Sequence, residues 1–249
     1  MSKQHELVGK IFPTNNGGDC VVVEYEGVYK VTVSFLDDFK YTTVVGLTQL
    51  RKGNVKNLYA RSNYGVGYIG EGIFKPYEGG VRSEEYMRWN GAMRRCYDLK
   101  YIKKYPTYRG CTVSEEWHSL QEFGMWHRKQ KFSGFNYHLD KDILVKGNKI
   151  YSPDTCCLVP QEINMLLTNN LASRGKYPQG VSSDNNGRFV VQVSNRVGIP
   201  RYIGRFNTIE EAALEYKKAK EAAVKHTASN FRSGMDDKVF QALMEWELD

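Results

Sequence analysis

The segment from Tyr137 to Asn164 constrains the fold most, because it places two extended runs, a turn and a helix within 28 residues. Tyr137 to Leu144 alternates apolar and polar side chains, a Gly-Asn pair follows, and Lys149 to Tyr151 is again extended in character. This pattern predicts a β-hairpin. Pro160 then favours a helix over Gln161 to Leu167.

Two side chains in this segment carry oxygen donors of the kind that hard cations prefer. Asp140 lies on the first predicted strand and Asn164 lies on the predicted helix. A carboxylate and an amide oxygen are hard donors, which suit Mg²⁺ or Mn²⁺ with water and phosphate at the remaining positions. Asp140 and Asn164 are therefore the candidate metal ligands.

The spacing of a larger set of residues is shared with a known family. The segment resembles the HNH, or ββα-metal, nucleases, and in particular their phage-encoded branch. The matching residues within it are Leu139, Asp140, Tyr151, Ser152, Pro153, Asp154, Cys156, Gln161 and Asn164. Further matches upstream are Trp89, Met93, Arg95, Cys96, Tyr97, Trp117 and Phe123. The resemblance implies that Asp140 and Asn164 hold one divalent cation against the phosphate that is cut.

Two positions depart from the family pattern. Lys141 stands where active members carry the histidine that deprotonates water, and Thr155 stands where a central asparagine is usual. Histidine suits that role because it titrates near neutral pH, whereas lysine stays charged unless it is strongly desolvated. Three alternatives remain open. His138, which shares a strand face with Asp140, accepts the proton; Lys141 stabilises the phosphate charge; or the site is inactive and the fold only binds DNA.

Three short extended runs and one helix follow between Tyr177 and Phe231. The runs are Gly180 to Ser183, Arg188 to Asn195 and Arg201 to Phe206, separated by Asn, Gly and Pro residues that favour turns. Thr208 and Glu211 form a capping box at the start of the helix. One face of this helix carries mainly alanine at helical spacing, which lets the helix lie close on the sheet, and the residues are Ala212, Ala213, Tyr216 and Ala219.

This second segment resembles the DNA-binding domain of plant ethylene-response transcription factors, which also occurs beside phage HNH nucleases. The matching residues are Tyr177, Gly180, Val181, Gly187, Arg188, Phe189, Gly204, Phe206, Thr208, Glu211, Ala212, Ala213, Tyr216, Asn230 and Phe231. In that family the sheet lies in the DNA major groove. Strand alternation predicts an inward set of Phe189, Val191 and Val193. The resemblance implies DNA contacts by Arg188, Gln192, Ser194 and Tyr202.

The charge distribution agrees with a polyanionic partner. Residues 173–232 contain 11 Lys or Arg and five Asp or Glu, a net charge of +6 out of +7 for the whole chain. A basic region of this kind is the electrostatic footprint of nucleic-acid binding. Several of its lysines fall on the predicted helix, where a solvated helix face explains them equally well.

The first 62 residues have a different pattern. Val21 to Tyr25, Tyr29 to Phe35 and Tyr41 to Val45 are rich in β-branched and aromatic residues, with Gly and Asp residues between them and no helical period. This pattern predicts a small β-barrel of about five strands. It is similar to the module with which phage HNH proteins often begin, and a role in positioning is expected for it.

The predicted fold is therefore α+β and multi-domain. A small β-barrel takes residues 1–62 and a glycine-rich connector takes residues 63–82. A central ββα-metal (HNH-like) nuclease domain takes residues 83–168, and a three-stranded sheet packed on one helix takes residues 169–232. Residues 233–249 form an amphipathic helix that either docks on the body of the protein or forms a homodimer contact.

Composition argues against several other classes of protein. The chain has no run near the roughly 20 apolar residues that a membrane span needs, and its first residues lack a signal-peptide pattern. Its five cysteines include no CxxC pair, which argues against a zinc site or a disulfide framework. The expected setting is the cytoplasm of an infected bacterium.

Three functions compete on this basis. The first is a divalent-metal-dependent endonuclease or nickase, of the phage homing type, that acts on double-stranded DNA. The second is a catalytically silent HNH-fold protein that binds DNA, for which Lys141 and Thr155 are the best evidence. The third is a structural protein that contacts other proteins, which the modest number of arginines keeps open.

Overall fold

The computed structural model describes residues 6–15, 17–130, 136–168, 176–193 and 201–248. Within these residues the chain has seven α-helices and several small β-sheets, so the fold is α+β as predicted. The chain divides into two compact units, Met1–His127 and Arg128–Asp249. This division falls inside the predicted nuclease domain of residues 83–168, and the predicted domain boundaries stay predictions.

Four antiparallel strands open the first unit, in the order β1-β2-β3-β4. Their bounds are Ile11–Pro13, Asp19–Gly27, Lys30–Phe35 and Thr42–Val45. Alternate residues of β2 and β3 enter one core, where Val22 lies opposite Val33 and Cys20 lies opposite Phe35. These strands confirm the three extended runs predicted for this region.

An open sheet replaces the five-stranded barrel that the sequence predicted. None of the sheets in the described residues is closed, and this one has four strands. After β4 the chain forms helix α1 (Leu47–Arg51) instead of another strand. Leu47 and Leu50, at helical spacing, bury their side chains in the same core as β2 and β3. A helix thus covers apolar surface that further strands would have covered in a barrel.

The rest of the first unit is mainly helical. Strands β5 (Tyr77–Glu78) and β6 (Val81–Arg82) pair as a short antiparallel hairpin. The elements that follow are helix α2 (Glu84–Tyr97), helix α3 (Leu99–Lys104), strand β7 (Thr112–Val113) and helix α4 (Leu120–Arg128). Single turns of 3₁₀ helix cover Pro106–Tyr108 and Glu115–His118.

Two tryptophans anchor this helical region. Trp89 on α2 and Trp117 are fully buried, and Trp89 Nε1 donates a hydrogen bond of 2.7 Å to the Trp117 carbonyl. This bond replaces the hydrogen bond to water that the Trp89 N–H loses on burial. Both residues are therefore core residues.

The second unit begins with a strand pair followed by a helix. Strand β8 (Tyr137–Asp140) pairs antiparallel with β10 (Cys157–Pro160), and helix α5 (Gln161–Leu167) follows β10 directly. The predicted hairpin between residues 137–144 and 149–151 is therefore wrong in its pairing, although β9 (Ile150–Tyr151) is extended. Strand β8 ends at Asp140, whose Oδ1 accepts hydrogen bonds from the two backbone N–H groups that begin the next turn. Helix α5 has its predicted bounds.

A three-stranded antiparallel sheet and a long helix follow. The strands are β11 (Val181–Ser183), β12 (Phe189–Gln192) and β13 (Tyr202–Phe206), in that order, and helix α6 (Ile209–Asn230) packs against the sheet. Thr208 Oγ1 accepts a hydrogen bond of 3.2 Å from the Glu211 N–H, which confirms the predicted helix start. Helix α6 also contacts α5, so the sheet and the β8-β10-α5 region share one unit.

Helix α7 (Asp237–Met244) packs against α6 of the same chain. Val239 and Leu243 on α7 are buried, and so is Met235 just before it. The predicted docking of this helix is thus present within one chain, and a homodimer through α7 stays a prediction. In the part of the chain that the structure describes, no helix has the length and apolar character needed to cross a membrane.

Candidate metal and DNA site

The β8-β10-α5 region brings the candidate catalytic residues toward each other. His138 and Asp140 are two residues apart on β8, so their side chains leave the same face of the strand. His138 lies opposite Val159 and Asp140 lies opposite Cys157 on the neighbouring strand. Because α5 begins straight after β10, Asn164 is one turn into the helix and close to β8.

A direct hydrogen bond joins the helix to the strand at this place. Asn164 Nδ2 lies 3.0 Å from His138 Nδ1. With the amide nitrogen as the donor, His138 Nδ1 accepts and a neutral ring carries its proton on Nε2. The amide oxygen Oδ1 of Asn164 then points away from the ring nitrogen and remains a potential ligand.

Asp140 is held by its own turn. Its Oδ1 accepts hydrogen bonds of 2.7 Å from the Asp142 N–H and 2.9 Å from the Ile143 N–H. Burial raises the pKa of the Asp140 carboxyl, and the two N–H donors oppose this shift only in part. Burial thus favours the neutral form of this carboxyl group, which a positive charge beside it would oppose.

Lys141 is turned into the loop that follows β8. It is 7% exposed, and its Nζ donates to both carboxylate oxygens of Asp142, at 2.7 and 2.8 Å, and to the Asn148 carbonyl. An ammonium group has three N–H donors, so these acceptors use all of them. Asn148 Nδ2 in turn donates a hydrogen bond of 2.9 Å to the Lys141 carbonyl, so Lys141 and Asn148 are bonded to each other in both directions.

Thr155 has a local structural contact at the position where the family carries its central asparagine. Its Oγ1 donates to the Ile150 carbonyl at 2.7 Å, and its hydroxyl lies 2.8 Å from Ser152 Oγ. These bonds tie the turn that precedes β10 to Ile150 of β9. Thr155 thus stabilises this turn without offering an amide.

The donor types at this site, a carboxylate oxygen and an amide oxygen, are those that Mg²⁺ or Mn²⁺ takes. Within the described residues, no hydrogen-bond donor reaches Asp140 Oδ2 or Asn164 Oδ1, so one carboxylate oxygen and one amide oxygen remain for a cation. Mg²⁺ commonly takes one or two protein oxygens and keeps several waters. The described part of the chain has no group of three or more His, Cys, Asp or Glu side chains that could hold a metal ion.

The outer face of the β11-β12-β13 sheet carries three of the four predicted DNA contacts. Val191 and Val193 are buried as predicted, whereas Gln192 is exposed and lies opposite Tyr202, which is 51% exposed. Arg188 is exposed at the start of β12. Ser194 lies outside the described residues.

Neighbouring side chains orient the basic groups of this sheet. Arg188 Nε and Nη2 donate to Asn207 Oδ1 at 3.3 and 3.1 Å. Arg205 Nε lies 3.5 Å from Asp184 Oδ2. In the strand register Arg205 lies opposite Val190, on the outer face of the sheet. The pKa of Asp184 is lowered, chiefly by the hydrogen bond from the Arg188 N–H, so it stays ionised beside both arginines.

Arg205 is a candidate contact that the sequence did not indicate. The pairing of β12 with β13 skips Ile203, because Val191 lies opposite Gly204 and Gln192 lies opposite Tyr202. This irregularity exposes both Tyr202 and Arg205, which simple alternation would put on opposite faces. Gly204 and Phe206 lie opposite Val191 and Phe189 of the predicted inward set, so Arg205 between them is on the outer face.

Comparison with protein-family models, with curated proteins and with solved structures found no match to this chain. The resemblances to HNH nucleases and to ethylene-response DNA-binding domains therefore stay predictions that depend on the residues named above. The geometry of the site is the ground on which a function can be argued.

Proposed function

We propose that this protein is a DNA-binding, divalent-metal-dependent endonuclease or nickase of the phage HNH type, in the manner of a homing enzyme, which hydrolyses phosphodiester bonds in double-stranded DNA. The observation that carries the proposal is the hydrogen bond between Asn164 and His138, with Asp140 on the same face of β8. An amide, an imidazole and a desolvated carboxylate on adjoining elements match the needs of phosphodiester hydrolysis.

Each residue has a distinct role in this proposal. Asp140 and Asn164 would hold the cation through Oδ2 and Oδ1. A bound Mg²⁺ or Mn²⁺ supplies charge neutralisation at the phosphate. His138 is the candidate proton acceptor for the attacking water, although its Nδ1 must first release Asn164. Lys141 is the candidate for stabilising phosphate charge, and it must first leave Asp142 and the Asn148 carbonyl.

The outer face of the β11-β12-β13 sheet would hold the DNA. Arg188, Gln192 and Tyr202 are exposed there, together with Arg205, and the predicted contact Ser194 follows β12 in the sequence. Basic side chains on such a face neutralise phosphates, while Gln and Tyr side chains can reach base edges. Double-stranded DNA is therefore the proposed partner, and the cytoplasm of the bacterial host is the proposed setting.

The test is a plasmid-cleavage assay with a single isosteric substitution. Wild-type protein should convert supercoiled plasmid to nicked or linear product in Mg²⁺ or Mn²⁺, and EDTA should stop the reaction. Asp140→Asn keeps an oxygen that can accept the N–H groups of Asp142 and Ile143, so the turn is preserved while the charge is lost. We expect this variant to bind DNA but to lose cleavage. The exposed Asp38 supplies the control, Asp38→Asn, which should cut normally.

A second function is favoured by one observation. Lys141 replaces the usual histidine and its ammonium is already satisfied by three acceptors, which is what a catalytically silent HNH-fold DNA-binding protein would show. Plasmid that is retarded on a gel but remains intact with every metal would support this alternative. Cleavage that persists in Asp140→Asn would instead mean that the site is elsewhere.

The role of Lys141 can be separated from the question of activity. Lys141→Met keeps the apolar stem but leaves the Asn148 carbonyl without its donor. If Lys141 only stabilises the loop that follows β8, the free energy of unfolding of Lys141→Met should be lower by roughly 1–3 kcal/mol while its cleavage rate is retained. If Lys141 contacts phosphate, the rate should fall and the stability should hold.

A further inference from the structure

A second strongly basic surface lies in the first unit, around helix α3. From Arg94 to Arg109 the chain has six Lys or Arg and one acidic residue within 16 positions. We call these six side chains the α3 basic patch, and they are Arg94, Arg95, Lys100, Lys103, Lys104 and Arg109. The sheet that is proposed to hold DNA belongs to the other unit, so this patch is a separate feature.

The one acidic residue of this region is already occupied. Asp98 Oδ1 accepts hydrogen bonds of 2.9 Å from the Lys100 N–H and 3.2 Å from the Tyr101 N–H, so it caps α3. Its Oδ2 lies 3.6 Å from Arg94 Nε. Asp98 therefore stabilises the helix start and does not neutralise the lysines further along.

The lysines of α3 face solvent without an acidic partner. No residue of α3 is buried, and Lys100, Lys103 and Lys104 are spaced so that they share one face of the helix. Among the described residues, none of these three lysines forms an ion pair with a carboxylate, and neither does the exposed Arg109. By contrast, Lys218 on α6 pairs with Glu215 at 2.7 Å.

Tyrosine rings organise the cations of the patch. The Arg94 guanidinium lies 4.6 Å from the Tyr101 ring centroid, and Lys104 Nζ lies 5.2 Å from that of Tyr105. The two rings are 4.6 Å apart, and a third ring, Tyr108, lies 5.8 Å from Tyr101. Cation–π contacts restrict long basic side chains, so less conformational entropy is lost when the patch meets an anion.

We infer that the α3 basic patch is a second DNA-binding surface, which holds the phosphate backbone without reading sequence. This inference rests on the proposed function, because it takes DNA as the partner, and it gives the first unit a role in binding. Unpaired lysines act as point charges that attract phosphates, whereas base recognition needs planar side chains placed in a groove. A row of like charges on one helix face complements the regular charge of a phosphate backbone.

The test is a salt series of DNA binding by the full-length protein, with a labelled duplex of arbitrary sequence as the probe. The variant K100Q/K103Q/K104Q removes three charges from residues that are not buried, and melting temperature checks that the fold is kept. Lost phosphate contacts should lower the slope of log affinity against log salt by roughly 0.9 each, and Kd at low salt should rise roughly tenfold or more.

The matched control removes three lysines that are paired with glutamates. K30Q/K217Q/K218Q has the same change in net charge, but its lysines pair with Glu26, Glu221 and Glu215. We expect its binding curve to stay close to that of the wild type. If both triple variants bind DNA more weakly by the same factor, the loss of affinity reflects net charge alone and the inference is overturned.

The outcome also distinguishes this inference from the proposed nuclease. If wild-type protein cuts plasmid and K100Q/K103Q/K104Q binds duplex with unchanged affinity and salt slope, the patch is not a DNA surface and the nuclease proposal stands. If the variant loses binding while no metal supports cleavage by the wild type, the patch stands and the nuclease proposal falls. Wild-type protein that does not bind duplex at all would overturn both.

Discussion

Asn164 Nδ2 lies 3.0 Å from His138 Nδ1, so one hydrogen bond joins helix α5 to strand β8. The contact couples two proposed roles. If the amide nitrogen faces the ring, Asn164 Oδ1 can ligate a cation, but His138 Nε2 carries the proton and cannot accept another. If the amide turns over, His138 Nε2 becomes basic while Oδ1 is taken up by the ring. While this hydrogen bond is intact, metal binding and proton acceptance by the pair therefore compete.

The first prediction concerns the strength of this coupling. Asn164→Ala, His138→Ala and the double variant form a thermodynamic cycle in the free energy of unfolding. We expect a coupling energy of about 1 kcal/mol, because one hydrogen bond between half-buried groups is lost in either single variant. Urea denaturation followed by circular dichroism measures all four proteins.

Met165 supplies the control for this cycle, because it is the next residue on α5 and is exposed. A cycle between His138→Ala and Met165→Ala should give a coupling energy near zero. If the effects of Asn164→Ala and His138→Ala are simply additive, the two side chains do not interact in solution and the site loses its connection between helix and strand.

Local signals made several elements predictable from the sequence. Pro160 marked the start of α5, and Thr208 marked the start of α6, because capping and proline geometry depend on neighbouring residues alone. The period of two along β12 likewise predicted the inward set, of which Val191 and Val193 are buried. Each of these features is encoded within a few positions of the chain.

Features that depend on pairing were not predictable in the same way. The sequence indicated extended runs around β8 and β9, yet β8 pairs with β10, because a strand pattern does not specify its partner. The skipped residue Ile203 changes which residues of β13 are exposed, and no local signal announces it. Asp140 and Asn164 were predictable as donors, whereas the contact of Asn164 with His138 needs the register of β8 and the position of α5.

The second prediction concerns the outer face of the β11-β12-β13 sheet. Arg188→Ala and Arg205→Ala should each weaken DNA binding and lower the salt slope by roughly 0.9, because each removes one cation from the proposed contact surface. Lys218→Ala removes an exposed lysine from α6, which packs on the opposite face, and should leave binding unchanged. Fluorescence anisotropy over a salt series measures the three variants. Normal binding by both arginine variants would refute the sheet-face assignment.

The third prediction compares two glycines with the same backbone conformation. Gly180 has φ +73°, and a Cβ there would lie 2.0 Å from the Tyr216 ring and 2.8 Å from the Gln192 carbonyl oxygen. Gly187 has φ +75° and open space around it. Gly187→Ala should cost about 1–2 kcal/mol of stability from backbone strain alone. Gly180→Ala should cost roughly 3 kcal/mol or more, because overpacking against the helix–sheet contact adds to that strain.

Chemical denaturation of the two alanine variants provides the comparison. The difference between them isolates the close packing around Gly180, by the Tyr216 ring and the Gln192 carbonyl oxygen, since the left-handed backbone is common to both positions. Equal losses of stability would mean that Tyr216 moves aside without penalty. In that case α6 would be held on the sheet by its other buried residues.

The last prediction concerns pH and a buried histidine in the first unit. Burial lowers the pKa of His127 to about 4, and the Arg88 charge adds to this effect, while Glu84, whose Oε1 is 3.6 Å from His127 Nε2, opposes it. In the unfolded chain a histidine titrates near 6.5, so between about pH 6.5 and about pH 4 the unfolded state binds more protons than the folded state. The contribution of neutral His127 to the free energy of unfolding is therefore fully present above about pH 6.5, and it is lost as the pH falls toward about 4.

The expected loss is roughly 3 kcal/mol by about pH 4, since each pKa unit corresponds to about 1.4 kcal/mol. Because His127 is buried, solvent screening reduces this value little. His127→Gln removes the titrating ring, so its free energy of unfolding should vary less with pH over this range, whereas the control His226→Gln changes an exposed ring and should keep the wild-type profile. Urea titrations at several pH values measure these profiles. If the free energy of unfolding of His127→Gln changes with pH as steeply as that of the wild type, the acid sensitivity comes from other groups, because this variant has no imidazole at that position.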